Sequence, residues 1–204
     1  MPRCRQNHKN RCWESWEGWD RGQLLSVSDA DRPHTRDVRP GPYRHCHLSR
    51  ASTPDRTAFI MGKSKDDPFA VMEQDGFSLV HYGATVLAIP CNTAHYFYDR
   101  LAEALPVPVL NMPRLTVADA KAAGCTKLGI LATDGTLAAE TYQLACQAQG
   151  IDWAVPSEEH QQEVMSVIYD DIKQGKRADM AKFGAAVHDL KSRAATWPCW
   201  AAQS

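Results

Sequence analysis

Val86-Leu87-Ala88-Ile89-Pro90-Cys91-Asn92-Thr93-Ala94-His95 is the stretch on which the fold turns. A short apolar run ends in a cysteine. Polar residues suited to capping follow, and then apolar residues recur at helical spacing. The pattern predicts a buried strand over 85–89 and a helix over 93–105. Cys91 then stands where a parallel strand hands over to a helix N-terminus, and the unpaired N–H groups and positive dipole end there favour a thiolate. The competing reading is a buried structural cysteine, which describes most cysteines outside disulfides.

Outward from this turn, helix and strand patterns alternate from residue 53 onward. Helices are predicted over 67–82, 115–123, 136–149 and 180–191, with another running from an N-cap at Ser157 toward Gln174. Strands are predicted over 107–110, 127–132 and 151–155. Such alternation implies parallel sheets flanked by helices, with ligands outside the C-terminal ends of the strands.

The 204 residues, 44% of them hydrophobic, suffice for one large domain or two small ones. A net charge of −1 argues against a nucleic-acid surface as the main business of the chain. The charge is uneven, however: residues 1–50 carry ten Lys/Arg against six Asp/Glu. No apolar run is long enough to span a membrane, and nothing near the start has a signal peptide's apolar core. Seven cysteines without regular spacing suggest reduced thiols in a cytoplasmic protein. Cys4, Cys12, His45, Cys46 and His47 match no standard zinc spacing, so no metal is expected.

Several residues have two readings each. Asn92 and Thr93 either aim donors at an anion or only cap the helix. Thr133, Gly135 and Thr136 form a strand-to-helix turn suited to oxyanions, although many such turns simply cap. By pattern alone Arg56 is a surface residue and Lys173 a solvated helix lysine. Cys125 and Cys146 read as packing residues, and His95 as support for the cleft rather than an acid or base.

The words around Cys91, Ile-Pro-Cys-Asn-Thr-Ala-His-Tyr-Phe-Tyr-Asp over 89–99, resemble the aspartate/glutamate racemase family, amino-acid racemases that use no pyridoxal phosphate. Matching words follow in the family's order: Pro54-Asp55-Arg56-Thr57, Pro108-Val109-Leu110-Asn111-Met112 and Leu131-Ala132-Thr133-Asp134-Gly135-Thr136. The last is Ile168-Tyr169-Asp170-Asp171-Ile172-Lys173-Gln174-Gly175-Lys176, so the resemblance covers about residues 53–193.

That resemblance implies an α/β fold of two similar lobes, each a parallel sheet flanked by helices, with the active site in the cleft between them. Residues 53–110 would be a partial first lobe and 111–204 a truncated second lobe. It implies a cofactor-independent racemase interconverting D- and L-aspartate or glutamate and working as a homodimer, with a broad-specificity racemase of the same family or a decayed, non-catalytic homologue as the alternatives. Two cysteines would act on opposite faces of Cα, one as base and one as acid. Cys91 matches the first of them. Arg56 matches a guanidinium that grips an acidic substrate, Lys173 a second cation reached from the other lobe, and Asn92, Thr93 and Thr133 substrate-binding positions. The second cysteine has no counterpart, because Thr196-Trp197-Pro198-Cys199-Trp200 lacks the surrounding motif.

The two ends depart from the family. Residues 1–52 read as an aberrant, weakly basic arm with little periodicity, which predicts disorder. Joining each third base of the codons for residues 12–20 to the next two bases permits Leu-Gly-Ile-Leu-Gly-Gly-Met-Gly-Pro, with the Leu and three of the Gly forced. That is similar to the family's opening strand and glycine turn. The same shift over 195–203 permits Asp-Val-Ala-Val-Leu-Gly-Cys-Thr-Glu, with Ala, Leu and Gly forced, similar to its second cysteine motif. Both ends therefore read as frameshifted.

Overall fold

The computed structural model describes residues 23–27, 45–193, 195 and 197–200. Its helices and strands alternate as expected and build two sheets, each covered by helices.

The first lobe holds β1 (Gln23–Val27), β2 (His45–Ser49), β3 (Leu87–Ala88) and β4 (Val109–Leu110), in the order β2-β1-β3-β4. β3 and β4 are parallel, joined by the helical segment that follows Cys91. β1 pairs antiparallel with both β2 and β3. Two strands thus lie inside the segment whose sequence shows little periodicity. Arg50 ties that segment to the lobe, because it pairs at 2.5 Å with Asp75, a buried carboxylate on helix α2 (Phe69–His81). The short helix α1 (Arg56–Ile60) precedes α2 and is capped by Asp55, whose carboxylate accepts from the Ala58 N–H. Leu79, Leu87, Phe97 and Leu101 form the centre of this lobe's core.

The second lobe is arranged around β5 (Lys127–Leu131), with β6 (Asp152–Ala154) and β7 (Trp197–Trp200) parallel on either side. β5 reads as a continuous apolar run because both of its faces are covered. Leu128 and Ile130 point toward α4 (Met112–Ala122) and α6 (Thr141–Gln149), against Val117, Tyr142 and Cys146. Leu131 points the other way, into Val164 and Ile168, with α8 (Met180–Ser192) supplying Ala186 and Leu190. Gly129 shares that face, where a Cβ would come within 3.1 Å of Leu190 and 3.2 Å of Ala195. Helix α7 (Glu158–Ser166) starts at Ser157, as predicted.

Several helix limits differ from the pattern. The expected helix over 93–105 is a 3-10 turn, Thr93–Phe97, followed by α3 (Tyr98–Ala104). The expected helix over 136–149 starts earlier, as α5 (Asp134–Ala138), and breaks at Glu140, whose φ of +53° is left-handed. Such a backbone is strained for a residue with a Cβ. α6 follows and stops at Gly150, which takes φ +66° at no steric cost. Beyond α7 the predicted helix continues only as a π turn and a 3-10 turn, up to Gln174. Residues 12–20 and 201–204, which carry most of the frame-shifted motifs, lie outside the described residues. Among the described residues no helix is long and apolar enough to cross a membrane.

Candidate active site

Cys91 follows β3 at its C-terminal end and is 3% exposed. The residues after it reach across to the second lobe. Thr93, at the start of the 3-10 turn, places its hydroxyl 2.8 Å from that of Thr136 and 3.2 Å from that of Thr133. Thr133 and Thr136 are in turn 3.0 Å apart, and the Thr136 N–H donates to the Thr133 hydroxyl at 3.2 Å as the cap of α5. Three buried hydroxyls from two lobes therefore satisfy one another.

Asn92 is held by a second cross-lobe bond. The Tyr142 hydroxyl donates to the Asn92 side-chain oxygen at 2.6 Å, and both residues are 2% exposed. With its oxygen occupied, the Asn92 amide turns its NH2 donors away from Tyr142. Nothing in the pattern around Tyr142 marks it for this role, since an apolar-periodic tyrosine in a helix reads as core. The signal is its position in the turn of helix after Glu140, which the sequence alone does not reveal.

A third junction is made by close packing. A Cβ on Gly135 would lie 2.7 Å from the Thr57 Oγ1 and 2.9 Å from its Cα, so α1 and α5 meet here with no side chain between them. Arg56, beside Thr57, is half-buried and donates from Nη1 to the Pro54 carbonyl at 3.2 Å. Arg56 thus stands next to the residue that packs against Gly135 at the lobe junction.

Lys173 stands differently. Its ammonium lies 3.8 Å from the centroid of the Tyr169 ring, a cation–π contact. Tyr169 lines a cavity of about 500 Å³ together with Asp134, Gln161, Met165 and Asp170. The Asp134 N–H points at the Met165 sulfur at 3.4 Å, and the Gln161 amide donates to Asp134 and to the Ala132 carbonyl. This cavity belongs wholly to the second lobe and does not include Cys91, Asn92 or Thr93. Its lining residue Asp134 follows the C-terminal end of β5, whereas Cys91 is buried.

His95 is 4% exposed, and burial lowers its pKa against the opposing pull of the Cys91, Leu110 and Asn92 backbones. Cys146 is pushed up to about 11, first by burial and then by the neighbouring Cys125, and it packs in the second lobe's core. Among the described residues no cluster of three or more His, Cys, Asp or Glu could hold a metal ion.

The chain is similar to several known proteins. Over 92 residues the chain is 30% identical to the broad specificity amino-acid racemase RacX of Bacillus subtilis (strain 168), which is 45% of this chain and 39% of that protein. An aspartate racemase of Picrophilus torridus shares the fold at TM-score 0.52 and 23% identity, over 59% of this chain and 49% of its own. An aspartate racemase homologue from Pyrococcus horikoshii OT3 shares it at TM-score 0.59 and 18% identity, over 72% and 65%. The chain thus spans less than two thirds of the length of each of these relatives. The sequence profile described as Asp/Glu/Hydantoin racemase matches residues 32–196, a span reaching beyond the motif words at both ends. By that match, which takes in most of its length, the chain belongs to the Asp/Glu/hydantoin racemase family.

Proposed function

We propose that this protein is built to racemise a small amino acid at Cα without a cofactor, with Cys91 as one of the two proton-transfer groups. The observation that carries this reading is the Cys91-Asn92-Thr93 turn, bonded across the lobe junction to Tyr142, Thr133 and Thr136. In the reaction the Cys91 thiolate takes the Cα proton from one face, leaving a planar carbanion. A thiol on the opposite face then returns a proton. Asn92, Thr93 and Thr133 supply donors for the substrate carboxylate once the lobes part. Arg56 and Lys173 supply positive charge from the two lobes, which favours aspartate or glutamate.

The second proton-transfer group is missing from the chain as written. The backbone of Cys199 pairs with Ile130 in β7, but the residues around it do not carry the family's motif. Frameshifts at both ends account for this. The family match begins at residue 32, inside the segment expected to be aberrant, so the frameshift proposal at the N-terminal end is confined to residues before 32. A non-catalytic homologue that still binds amino acids is the corresponding state of the chain as it stands. The similarity to RacX supports a second reading, a racemase of broad specificity. We place the protein in the cytoplasm as a homodimer, which sedimentation would test.

The experiment compares the 204-residue chain with a version whose two reading frames are restored. Circular dichroism of the amino acid and deuterium uptake at Cα are followed without added pyridoxal phosphate. The restored protein should interconvert D- and L-aspartate or glutamate, and the chain as written should not. Cys91→Ala should abolish turnover in the restored protein. Inactivity of the restored protein toward every amino acid would overturn the proposal, and robust turnover by the chain as written would assign the second proton transfer to another group.

A further inference from the structure

The Cys91 carbonyl stands outside the helical ladder that follows it. The backbone bond that starts the 3-10 turn runs from the His95 N–H to the Asn92 carbonyl at 3.1 Å, one residue beyond Cys91. The Cys91 carbonyl is met instead by the His95 ring, with Nδ1 at 2.9 Å. Since a carbonyl can only accept, Nδ1 carries the proton. The other ring nitrogen has the opposite task. Met112 opens α4, the first helix of the second lobe, and its N–H is one of the donors a helix leaves without an internal partner. That N–H donates to His95 Nε2 at 3.2 Å. Both bonds are made by the same neutral tautomer, protonated on Nδ1 and bare on Nε2, with the Leu110 and Asn92 backbones also close enough to act on the ring. The ring is also stacked on Tyr98, with centroids 6.4 Å apart and planes at 12°, so it has little freedom to turn.

We propose that His95 is the positioning residue for Cys91: one buried imidazole links the cysteine's carbonyl to the first N–H of α4, fixing the reactive turn relative to the second lobe. This rests on the reading of Cys91 as a proton-transfer group and adds the means by which its sulfur is aimed. A thiol must approach one face of Cα at about 3–3.5 Å, and a shift of about 1 Å in such a group costs about a hundredfold in rate. A carbonyl left to water would let the Pro90–Asn92 backbone rotate and carry the sulfur with it. An ordinary core histidine would fill space and bond wherever a partner lay. Here each nitrogen instead meets a backbone group that has no other described partner, and the two groups belong to different lobes.

Two substitutions separate the two bonds. In His95→Asn the side-chain amide can occupy the place of Nδ1 and still donate to the Cys91 carbonyl, whereas in His95→Gln the side-chain oxygen can reach the place of Nε2 and accept only from Met112. The full chain and both variants are treated with iodoacetamide. Labelling of Cys91 is followed by peptide mass spectrometry, with Cys125 as the internal reference. His95→Asn should keep the Cys91-to-Cys125 ratio within about twofold of the parent, and His95→Gln should raise it about fivefold, the equivalent of one lost hydrogen bond. Equal ratios in the two variants, or a rise in Cys125 that keeps pace with Cys91, would overturn the proposal in favour of a merely structural histidine. Nitrogen-15 spectra of the parent provide a test that needs no variant: a ring protonated on Nδ1 and bare on Nε2 is expected, and a proton on Nε2 would refute the assignment. Neither measurement depends on turnover, so a failure to racemise leaves this inference standing and a failure here leaves the racemase reading standing.

Discussion

Gly135→Ala tests whether the lobe junction is as tight as its geometry implies. The added methyl would lie 2.7 Å from the Thr57 Oγ1 and 2.9 Å from both its Cγ2 and its Cα. Rotation of the Thr57 side chain relieves the first two contacts but not the third, because Cα belongs to the backbone of α1. Relief therefore requires α1 to move away from α5. Overpacking of this kind costs about 1–3 kcal/mol, and the better helix propensity of alanine returns up to about 1 kcal/mol. The net expectation is a loss of about 1–2 kcal/mol, or about 2–8 °C in Tm for a chain of this size. Gly184→Ala is the control: it lies within α8 with nothing within 4 Å of the new methyl, so it should gain up to about 1 kcal/mol. Urea unfolding followed by circular dichroism would give both values, with matching m-values needed for the comparison. A Gly135→Ala protein as stable as Gly184→Ala would refute the tight junction.

Thr93→Val should cost about 1–2 kcal/mol, because it removes two hydrogen bonds but leaves Thr133 and Thr136 bonded to each other. Thr133→Val should cost more, since it also removes the cap of α5; thermal melts showing the reverse order would contradict the hydroxyl network. His95 predicts a pH effect of definite sign. Its folded pKa lies below the unfolded value of 6.5, so the unfolded chain binds the proton more readily. The stability from the neutral ring is then fully present above pH 6.5 and is lost as pH falls toward the folded value, with a slope of at most about 1.4 kcal/mol per pH unit. His95→Asn should remove that slope, and equal slopes in urea titrations of the two proteins would count against it.

What could be seen in the sequence and what could not divide along physical lines. The alternation of β5, α6, β6 and α7 was legible because each element buries a face, and burial leaves a period in the residue pattern. Ser157 was legible because capping positions use few residue types, and the turn after β3 because an apolar run gives way there to small polar residues. The break at Glu140 was not, because apolar spacing continues through it and only the backbone changes hand. Nor were Tyr142 and Asn92 recognisable as partners, fifty positions apart, since a tertiary hydrogen bond imposes no period on either segment. β1 and β2 escaped for a further reason: their pairing is carried by backbone groups, which every residue except proline supplies in full.

The placing of β7 has a consequence for how the chain is made on the ribosome. β5 is the middle strand of its sheet, yet the neighbour on one side, β7, begins only at Trp197. The first lobe has all four of its strands once Leu110 has been synthesised. At about 5–20 residues per second, roughly ninety further residues take several seconds to emerge. For the last roughly sixty-five of them, from the completion of β5 at Leu131 to the start of β7 at Trp197, β5 presents an open row of N–H and C=O groups to any extended segment nearby. A nascent chain of this kind is most exposed to wrong pairing late in its synthesis, after its first half is already folded, and that is the stage at which a chaperone would be needed.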